Sequence, residues 1–284
     1  MAARAKTNLL LDVLHKRNDG YHELETIMQS LELHDCIEFE EAEDISLKVK
    51  GGDGQVPAGP ENLVWRAAAV LREYTGVARG VKMTLRKNIP VAAGLGGGSA
   101  DAAAVLKGLN ELWGLDMETH ELAGVGAQIG SDVPFCVYGG TALVGGRGER
   151  VMPLPPLPRV DVVLAKPYKG LSTAKVYKHY DLFGIYDKGT LDTEGMVAAI
   201  REGNVNAVVK LLGNALEKTA ISLLPVIGDI KKTFVRNGAL GVLVSGSGPT
   251  VLGVAEDPTH AKALADGLAI HDVSVVVTKT ADGG

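Results

Sequence analysis

The sequence predicts an α+β fold in two domains. Apolar and polar residues alternate through several segments of the N-terminal half, as they do in half-buried strands. In the C-terminal half, strands and helices follow one another without strict alternation, which favours α+β over a regular α/β arrangement. Four prolines lie between Pro153 and Pro158, a segment that cannot form a helix or a central strand. The predicted domains are therefore residues 1–152 and 159–284.

The N-terminal domain is predicted to contain an antiparallel-leaning sheet with a helix against it. Its first strand is followed by the turn-forming residues Asn18-Asp19-Gly20. The predicted strands are residues 7–14, 22–33, 35–41, 45–49 and 81–86, and an apolar, strand-like segment covers 135–144. The predicted helices are residues 62–74, 99–113 and 118–128, each with its apolar residues on one face.

The C-terminal domain is predicted to contain short buried strands joined by helices. The strands are predicted at residues 160–165, 241–245, 250–255 and 274–280. The helices are predicted at residues 173–180, 193–201, 205–212, 225–237 and 258–269.

Composition and charge exclude several classes of protein. The formal net charge is −5 and Lys and Arg form no block, which argues against a nucleic-acid partner. A phosphate-bearing substrate must then be bound by local donors. Cys36 and Cys136 show no metal-ligand spacing and are expected to be reduced core thiols. The apolar runs are too short to cross a membrane, and charged residues interrupt any secretory segment, so a cytoplasmic protein is expected.

A loop of small residues leads into the predicted helix 99–113. Its glycines let the backbone approach a bulky anion and adopt positive φ without a steric penalty. The N–H groups and the dipole at the start of the following helix favour negative charge, so the loop predicts a phosphate site. The loop consists of Pro90, Val91, Ala92, Ala93, Gly94, Leu95, Gly96, Gly97, Gly98, Ser99 and Ala100.

This loop is neither of two familiar glycine motifs. A P-loop needs Lys directly after its last glycine, and that residue here is Ser99. The pattern G-x-G-x-x-G, counted from Gly94, also reaches Ser99 where its last glycine should be, and the βαβ setting is missing. A plain turn with Ser99 near the helix cap stays open as an alternative, although four glycines exceed what a cap needs.

A second small-residue segment, residues 245–250, lies between two predicted strands. If the fold brings it near the glycine loop, Gly246 and Ser247 would add N–H groups and hydroxyls to the same site. A simple turn between strands explains the segment equally well.

Lys6 and Asp132 are the candidate catalytic residues. Asp132 stands between the predicted helix 118–128 and the apolar segment 135–144, where a carboxylate can face a cleft. Lys6 lies in an apolar first strand, and paired with Asp132 it would keep the carboxylate ionised and polarise an acceptor hydroxyl. Phosphoryl transfer from ATP needs such groups beside a phosphate site. From the residues alone, a turn or cap Asp132 and a solvated Lys6 stay open.

These motifs resemble the GHMP small-molecule kinases, a family that includes galactokinase, homoserine kinase, mevalonate kinase and phosphomevalonate kinase. The resemblance extends over nearly the whole chain. The glycine loop is typical of the superfamily. Asp19-Gly20-Tyr21-His22 and Gly130-Ser131-Asp132 resemble the branch that acts on a cytidine-diphosphate-linked methylerythritol. The matching stretches are Ala5-Lys6-Thr7-Asn8-Leu9 with Asp19-Gly20-Tyr21-His22, residues 90–101, Ile129-Gly130-Ser131-Asp132-Val133-Pro134-Phe135, and Ser245-Gly246-Ser247-Gly248-Pro249-Thr250.

The resemblance implies a fold, a reaction and a set of site residues. The fold is an N-terminal mixed sheet with helices, followed by a C-terminal ferredoxin-like α/β sandwich. The reaction is ATP-dependent phosphorylation of the 2-hydroxyl of the cytidine-linked substrate in non-mevalonate isoprenoid biosynthesis, with Mg²⁺ as second cofactor. Lys6 and Asp132 correspond to the family's catalytic pair. The implied substrate-binding residues are Asn8, Tyr21, His22, Thr173, Tyr177, Gly246 and Ser247.

The implied cytidine site has aromatic and polar parts. Tyr21 and Tyr177 would stack on the cytosine ring and His22 would contact its edge, because aromatic faces bind a base and a few polar groups set its identity. Asn8 and Thr173 would contact the diphosphate or the methylerythritol. Core packing of Tyr177 and an ordinary polar role for His22 stay open as alternatives.

The sequence departs from the family pattern near the catalytic Lys and in the glycine loop. Arg4 and Thr7 stand where family members commonly have Pro and Ile, which removes no proposed catalytic group. Gly98 stands where some relatives offer magnesium a hydroxyl, so the protein ligand of the metal is not assigned. Two rival functions stay open: a kinase of the same superfamily acting on mevalonate or homoserine, and a catalytically silent nucleotide-binding protein. A cytidine requirement in a kinase assay would separate the first rival.

Overall fold

The computed structural model describes residues 1–54, 56–183, 191–268 and 272–282. Within them the chain forms two sheets with helices, which confirms the predicted α+β class. The strands are β1 (Ala2–Lys16), β2 (His22–Ala42), β3 (Ile45–Lys50), β4 (Gly80–Arg86), β5 (Thr141–Gly146), β6 (Arg150–Pro153), β7 (Asp161–Pro167), β8 (Gly213–Asn214), β9 (Gly241–Val244), β10 (Val251–Val254) and β11 (Val273–Lys279). The helices are α1 (Leu63–Thr75), α2 (Gly97–Trp113), α3 (Thr119–Gly126), α4 (Val133–Tyr138), α5 (Thr173–Phe183), α6 (Thr193–Arg201), α7 (Val205–Lys210), α8 (Glu217–Leu223), α9 (Val226–Arg236) and α10 (Pro258–Gly267).

The larger sheet has seven strands and is mixed, as the resemblance implied. Strands β3, β4, β2, β1 and β8 are neighbours in that order, and β5 joins β2 to β6. The pairs β3–β4 and β1–β8 are parallel, whereas the other pairs are antiparallel. Strand β8 comes from the C-terminal half and pairs with Leu10 and Leu11 of β1. The division into domains of residues 1–152 and 159–284 therefore stays a proposal.

The second sheet has the strand order β11-β7-β10-β9 and is antiparallel throughout. Helix α9 precedes β9, and α10 connects β10 to β11, which gives the β-α-β-β-α-β succession of a ferredoxin-like sandwich. Ile227, Ile230 and Phe234 of α9 are fully buried with Val163 and Val244 of the sheet. Burial of these side chains is the main favourable term that holds the helix layer on the sheet.

The predicted strand at 135–144 is wrong in its first half. Residues Val133–Tyr138 form helix α4, and β5 begins only at Thr141. A short apolar run has too few residues to show a helical or a strand period, so it is ambiguous in sequence. Pro134 lies in the first turn of α4, where its missing N–H costs no helical hydrogen bond. Phe135 is fully buried in a small cluster with Met28, so the helix is held by packing.

Other boundaries differ in ways that matter for the site. The predicted strands 22–33 and 35–41 are one strand, β2, and the first strand is longer than residues 7–14. Strand β1 contains register shifts between Arg4 and Lys6 and between Asn8 and Leu10. Such bulges re-aim side chains, and these two flank the candidate catalytic segment. Helix α8 was not predicted, and Ala269, the predicted end of helix 258–269, lies outside the described residues.

Helix α2 is the centre of the N-terminal layer. It is rich in alanine, and its buried face packs against α1 and β1, where the small side chains allow close approach. The helix begins beside the glycine loop, so the packing that fixes the helix also fixes where its N-terminus points. Among the described residues, no helix is long and apolar enough to cross a membrane.

Candidate active site

A cavity of about 990 Å³ collects nearly all the predicted site residues. Ala100 is the exception, because it is buried within α2 and donates its N–H to the Gly96 carbonyl. The predicted residues on the cavity wall are Lys6, Asn8, Tyr21, His22, Pro90, Val91, Ala92, Ala93, Gly94, Leu95, Gly96, Gly97, Gly98, Ser99, Asp132, Thr173, Tyr177, Gly246 and Ser247.

The glycine loop presents an open helix end to this cavity. Helix α2 begins at Gly97, two residues before the predicted start, and its N-cap is Gly96 with a φ of 65°. No side chain makes a cap hydrogen bond there, and Ser99 is the third residue of the helix, near the cap without forming it. The N–H groups of Gly97, Gly98 and Ser99 belong to the first turn and have no intrahelical acceptor. They are suited to bind phosphate oxygens.

The second small-residue segment lies directly against the glycine loop. The Ser245 hydroxyl donates to the Gly94 carbonyl at 3.1 Å, and Thr7 donates to the Ser245 oxygen at 3.0 Å. Farther along, the hydroxyls of Ser247 and Thr173 are 2.9 Å apart. The segment is therefore a second wall of the cavity as well as a turn between strands.

Lys6 and Asp132 meet on the cavity wall. The Lys6 ammonium lies 3.1 Å from the Asp132 carboxylate. Lys6 is 5% exposed, so it is no solvated edge residue. Asp132 occupies the N-cap position of α4, but its side chain makes no cap hydrogen bond. The carboxylate instead faces Lys6 and remains 31% exposed at the cavity, where an acceptor hydroxyl can reach it.

A chain of hydrogen bonds fixes the Lys6 ammonium. Lys6 donates to the Asn8 side-chain oxygen at 2.9 Å, and the Asn8 amide donates to the Thr26 hydroxyl at 2.8 Å. Thr26 in turn donates to the Leu10 carbonyl. The Lys6 backbone N–H also donates to the Leu95 carbonyl of the glycine loop at 2.9 Å. Strand β1 therefore orients both the candidate catalytic Lys and the phosphate loop.

Three aromatic side chains line a further part of the cavity, called the aromatic end below: Tyr21, His22 and Tyr177. The His22 ring stacks on Tyr177 with ring centroids 4.8 Å apart and an interplanar angle of 27°. The His22 Nε2 lies 2.7 Å from the Asp181 carboxylate. Arg147 lies over the Tyr21 ring at 5.1 Å from its centroid. Burial raises the pKa of the Tyr177 hydroxyl, and this ring also packs against a small apolar cluster, so core packing and cavity lining coexist.

Sequence reasoning missed a group of charged residues behind the glycine loop. Lys87 lies between the carboxylates of Asp35 and Asp101, 2.8 Å from that of Asp101, and all three side chains are almost fully buried. Lys87 and Asp101 also line the cavity. Burial raises the pKa of the Asp101 carboxyl to about 7, because the opposing effect of Lys87 is partly cancelled by the negative charge of Asp35.

We expect Asp101→Asn to change how stability depends on pH. The carboxyl has an ordinary pKa of 3.8 when unfolded and about 7 when folded, so the folded state binds more protons between these values. Its free energy of unfolding therefore falls as pH rises through this window. From pH 5 to pH 7 the free energy of unfolding should fall by about 2 to 3 kcal/mol more in the wild type than in Asp101→Asn, since one pKa unit corresponds to ~1.4 kcal/mol. Urea unfolding at both pH values measures this, and parallel losses in the two proteins would contradict it.

Comparison with known proteins identifies the family. The family model for the GHMP kinases N terminal domain matches residues 62–140, and that for the GHMP kinases C terminal matches residues 196–272. A 4-diphosphocytidyl-2-C-methyl-D-erythritol kinase from Pelotomaculum thermopropionicum is 50% identical over 280 residues, covering 98% of this chain and 96% of its own. The chain belongs to the GHMP kinase family. The resemblance seen in the motifs is thereby confirmed, as is the expectation of a small-molecule kinase.

Further GHMP kinases agree in sequence and in fold. The 4-diphosphocytidyl-2-C-methyl-D-erythritol kinase from Bacillus subtilis is 46% identical and covers 94% of this chain and 91% of its own. A crystal structure of 4-(cytidine 5'-diphospho)-2C-methyl-D-erythritol kinase aligns with a TM-score of 0.82 at 35% identity, covering 100% of this chain and 99% of that one. A mevalonate kinase from L. major in complex with R-mevalonate has a TM-score of 0.75 at 20% identity, over 99% of this chain and 95% of that one. That likeness shows the shared fold alone.

Proposed function

We propose that this GHMP kinase transfers the γ-phosphoryl group of ATP to the 2-hydroxyl of 4-diphosphocytidyl-2-C-methyl-D-erythritol. The observation that carries the mechanism is the Lys6–Asp132 pair, 3.1 Å apart, on the wall that also holds the glycine loop. Relatives of 43–50% identity over nearly the full length carry this substrate in their names, which supports the choice of acceptor.

The geometry suits an in-line displacement. The acceptor oxygen forms a bond to the γ-phosphorus while the bond between that phosphorus and the β,γ-bridging oxygen breaks, and ADP leaves. Asp132 accepts the hydroxyl proton or orients the hydroxyl for attack. Lys6, fixed by Asn8, keeps the Asp132 carboxylate ionised and offers its positive charge to the transferring group.

Magnesium is the cofactor that the family implies beside ATP. Mg²⁺ is usually held by one or two protein oxygens together with phosphates and water. Among the described residues there is no cluster of three or more His, Cys, Asp or Glu side chains that could hold a metal alone, which fits an ion bound mainly through the nucleotide. Ser99 and Asp132 are two of the oxygen-bearing residues that line the cavity, and they are the ones proposed here to complete its ligands. When bound, the ion would neutralise charge on the phosphates.

The acceptor's cytidine is assigned to the aromatic end of the cavity. Tyr21, His22 and Tyr177 line that end, and Thr173 and Ser247 supply hydroxyls beside it. The His22 ring already covers one face of Tyr177. The base would therefore stack on the ring of Tyr21, which is 50% exposed. Aromatic stacking binds a base through its π-face, and the polar groups around it set which base is accepted.

We expect Tyr21→Ala to weaken the cytidine substrate and to leave ATP nearly unaffected. Loss of stacking on one base should raise the KM for the cytidine substrate about 5- to 150-fold, as stacking contributes ~1–3 kcal/mol. The KM for ATP should change less than about twofold, because Tyr21 is not part of the glycine loop and its ring lies against Arg147. Steady-state kinetics with each substrate varied in turn measures both values.

A matched control is Tyr74→Ala, which removes an exposed tyrosine of α1 that does not line the cavity. It should leave both KM values unchanged. Equal increases in both KM values for Tyr21→Ala would show that the stacking assignment is wrong.

The decisive experiment measures ADP release with three acceptors. The purified protein is assayed with ATP, Mg²⁺ and, in parallel, 4-diphosphocytidyl-2-C-methyl-D-erythritol, mevalonate or homoserine. Only the cytidine substrate should support rapid turnover, and phosphorus NMR should show a phosphomonoester in the product. Robust turnover of mevalonate would overturn the proposed acceptor. ATP binding without turnover of any acceptor would favour the silent nucleotide-binding alternative.

A further inference from the structure

Three buried charged residues connect the two ends of the glycine loop. Asp35 belongs to β2, Lys87 directly follows β4 and precedes the loop, and Asp101 belongs to α2 just after the loop. The exposed fractions of their side chains are 0%, 5% and 3%. None of the three is needed for the proton transfer or the acceptor contacts proposed above.

Asp35 fixes the entry into the loop. One of its carboxylate oxygens accepts hydrogen bonds from the backbone N–H groups of Asn88 and, at 2.8 Å, of Ile89. The other oxygen pairs with the Lys87 ammonium. Residues 87–89, which lead into Pro90, are thus tied to β2 by a single buried side chain.

Lys87 joins this entry to the exit from the loop. Its ammonium donates to the Asp101 carboxylate at 2.8 Å and also to that of Asp35. Lys87 therefore links Asp35, which holds the residues before the loop, to Asp101, which follows the loop. The same ammonium would lie 3.4 Å from a Cβ built on Gly97. It therefore lies directly beside the first turn of α2, whose N–H groups face the cavity.

The arrangement is a poor way to gain stability alone. It buries two carboxyl groups and one ammonium group, and buried ion pairs are often no more stabilising than apolar side chains of similar volume. One Asp101 carboxylate oxygen is buried without a hydrogen-bond partner among the described residues, which is costly in a folded protein. Buried charged groups and unpartnered polar atoms that reduce stability are expected mainly at functional sites.

We propose that Asp35, Lys87 and Asp101 are positioning residues for the nucleotide, which hold the entry and exit of the glycine loop at the separation needed to bind the phosphates of ATP. This inference rests on the proposed function, because it takes ATP as the ligand of the loop. The three residues act through the loop backbone and the α2 terminus. Thr173 and Tyr177 of the proposed cytidine site belong to α5, and His22 begins β2, thirteen residues before Asp35. The effect should therefore be confined to ATP.

The test compares Lys87→Met with the wild type in binding and in kinetics. Calorimetric titration with a non-hydrolysable ATP analogue and Mg²⁺ should show affinity reduced about 10- to 100-fold, because small misplacements of binding groups have effects of this size. The KM for ATP should rise by the same factor, while kcat at saturating ATP and the KM for the cytidine substrate change less than about twofold. Lys87→Arg, which keeps the cation, should recover part of the ATP affinity.

Two further variants separate positioning from simple stabilisation. Lys82→Met removes an exposed ion pair with Glu40 between the same two strands, and it should change neither affinity nor kinetics. Lys87→Met combined with Asp101→Leu removes both charges of the buried pair and should recover melting temperature relative to Lys87→Met alone. If positioning is the role, ATP affinity stays low in this double variant. Wild-type ATP affinity in a stable double variant would overturn the inference.

The same measurements keep this inference distinct from the proposed function. Wild-type protein that turns over the cytidine substrate while Lys87→Met keeps its ATP affinity would overturn the positioning role only. Wild-type protein that turns over none of the acceptors would overturn the proposed function. A Lys87→Met protein that does not fold is replaced by the double variant, whose ATP affinity then decides.

Discussion

Replacing Asp132 with Asn is expected to lower kcat by about 100- to 10,000-fold, the range contributed by a positioned acid–base group. The amide has the shape of the carboxylate but cannot accept the hydroxyl proton, and it removes the negative charge 3.1 Å from Lys6. The KM values for ATP and for the cytidine substrate should change by less than about threefold, because the lost interaction develops mainly in the transition state.

The fold of Asp132→Asn should remain intact. Asp132 makes no cap hydrogen bond with α4, and Lys6 keeps its hydrogen bond to Asn8. The melting temperature should therefore stay within about 2 °C of the wild type, which for a chain of this size corresponds to ~1 kcal/mol. Steady-state kinetics and a thermal melt on the same preparation test both parts.

The control for this substitution is Asp116→Asn, which makes the same chemical change at an exposed position after α2. It should match the wild type in kcat. A loss below roughly tenfold in Asp132→Asn would remove Asp132 from the role of base and leave it, at most, an orienting group.

The glycine loop could be predicted from sequence because its signal is local. Glycines that can take positive φ and the helix that follows them are both encoded within residues 90–101, and the structure has positive φ at Gly94 and Gly96 directly before α2. The helix start was misplaced by two residues because Ser99 is a common cap residue, whereas Gly96 takes that position in a left-handed conformation.

The candidate catalytic pair depends on a contact that no local sequence pattern encodes. Lys6 lies on β1 and Asp132 directly precedes α4, so the packing of α4 against α2 and β1 brings them together. The resemblance to a known family supplied this pairing, and the geometry now supports it. From the residues alone, a turn or cap role for Asp132 and a solvated position for Lys6 stay open as alternatives.

The contact between Asp35 and Lys87 is even harder to predict from sequence. These residues are 52 positions apart, and neither belongs to a recognisable motif. A lysine and two aspartates scattered through strands and a helix look like ordinary surface charges in sequence. The pairing of β2 with β4 and the packing of α2 bring Asp35, Lys87 and Asp101 together in the interior.

The error at residues 135–144 has a different origin. The segment is apolar throughout its first half, and a buried helix and a buried strand of that length have the same composition. The structure resolves it through the proline in the first turn and the burial of Phe135. This matters for function, because Asp132 is held at the start of a helix instead of at the end of a loop before a strand.

Replacing Gly94 with Ala is expected to lower kcat/KM for ATP by at least about 100-fold, since it displaces the phosphate loop from its wall. Gly94 has a φ of 76°, and a Cβ there would lie 2.5 Å from the Ser245 carbonyl oxygen and 2.8 Å from that of Gly248. Both are backbone atoms, so neither can rotate away as a side chain would. The glycine loop must therefore shift relative to residues 245–250, which disturbs the N–H groups expected to bind phosphate.

Gly114, the C-cap residue of α2, provides the matched control. Gly114 also has a positive φ, 63°, but a Cβ there would meet nothing within 4 Å. Gly114→Ala should cost about 1 kcal/mol of stability from backbone strain alone and leave kcat/KM for ATP unchanged. Gly94→Ala carries the same strain and adds the clash, so the difference between the two variants isolates the contact between the loop and its wall. Equal ATP kinetics in the two variants would show that this contact does not set the phosphate site.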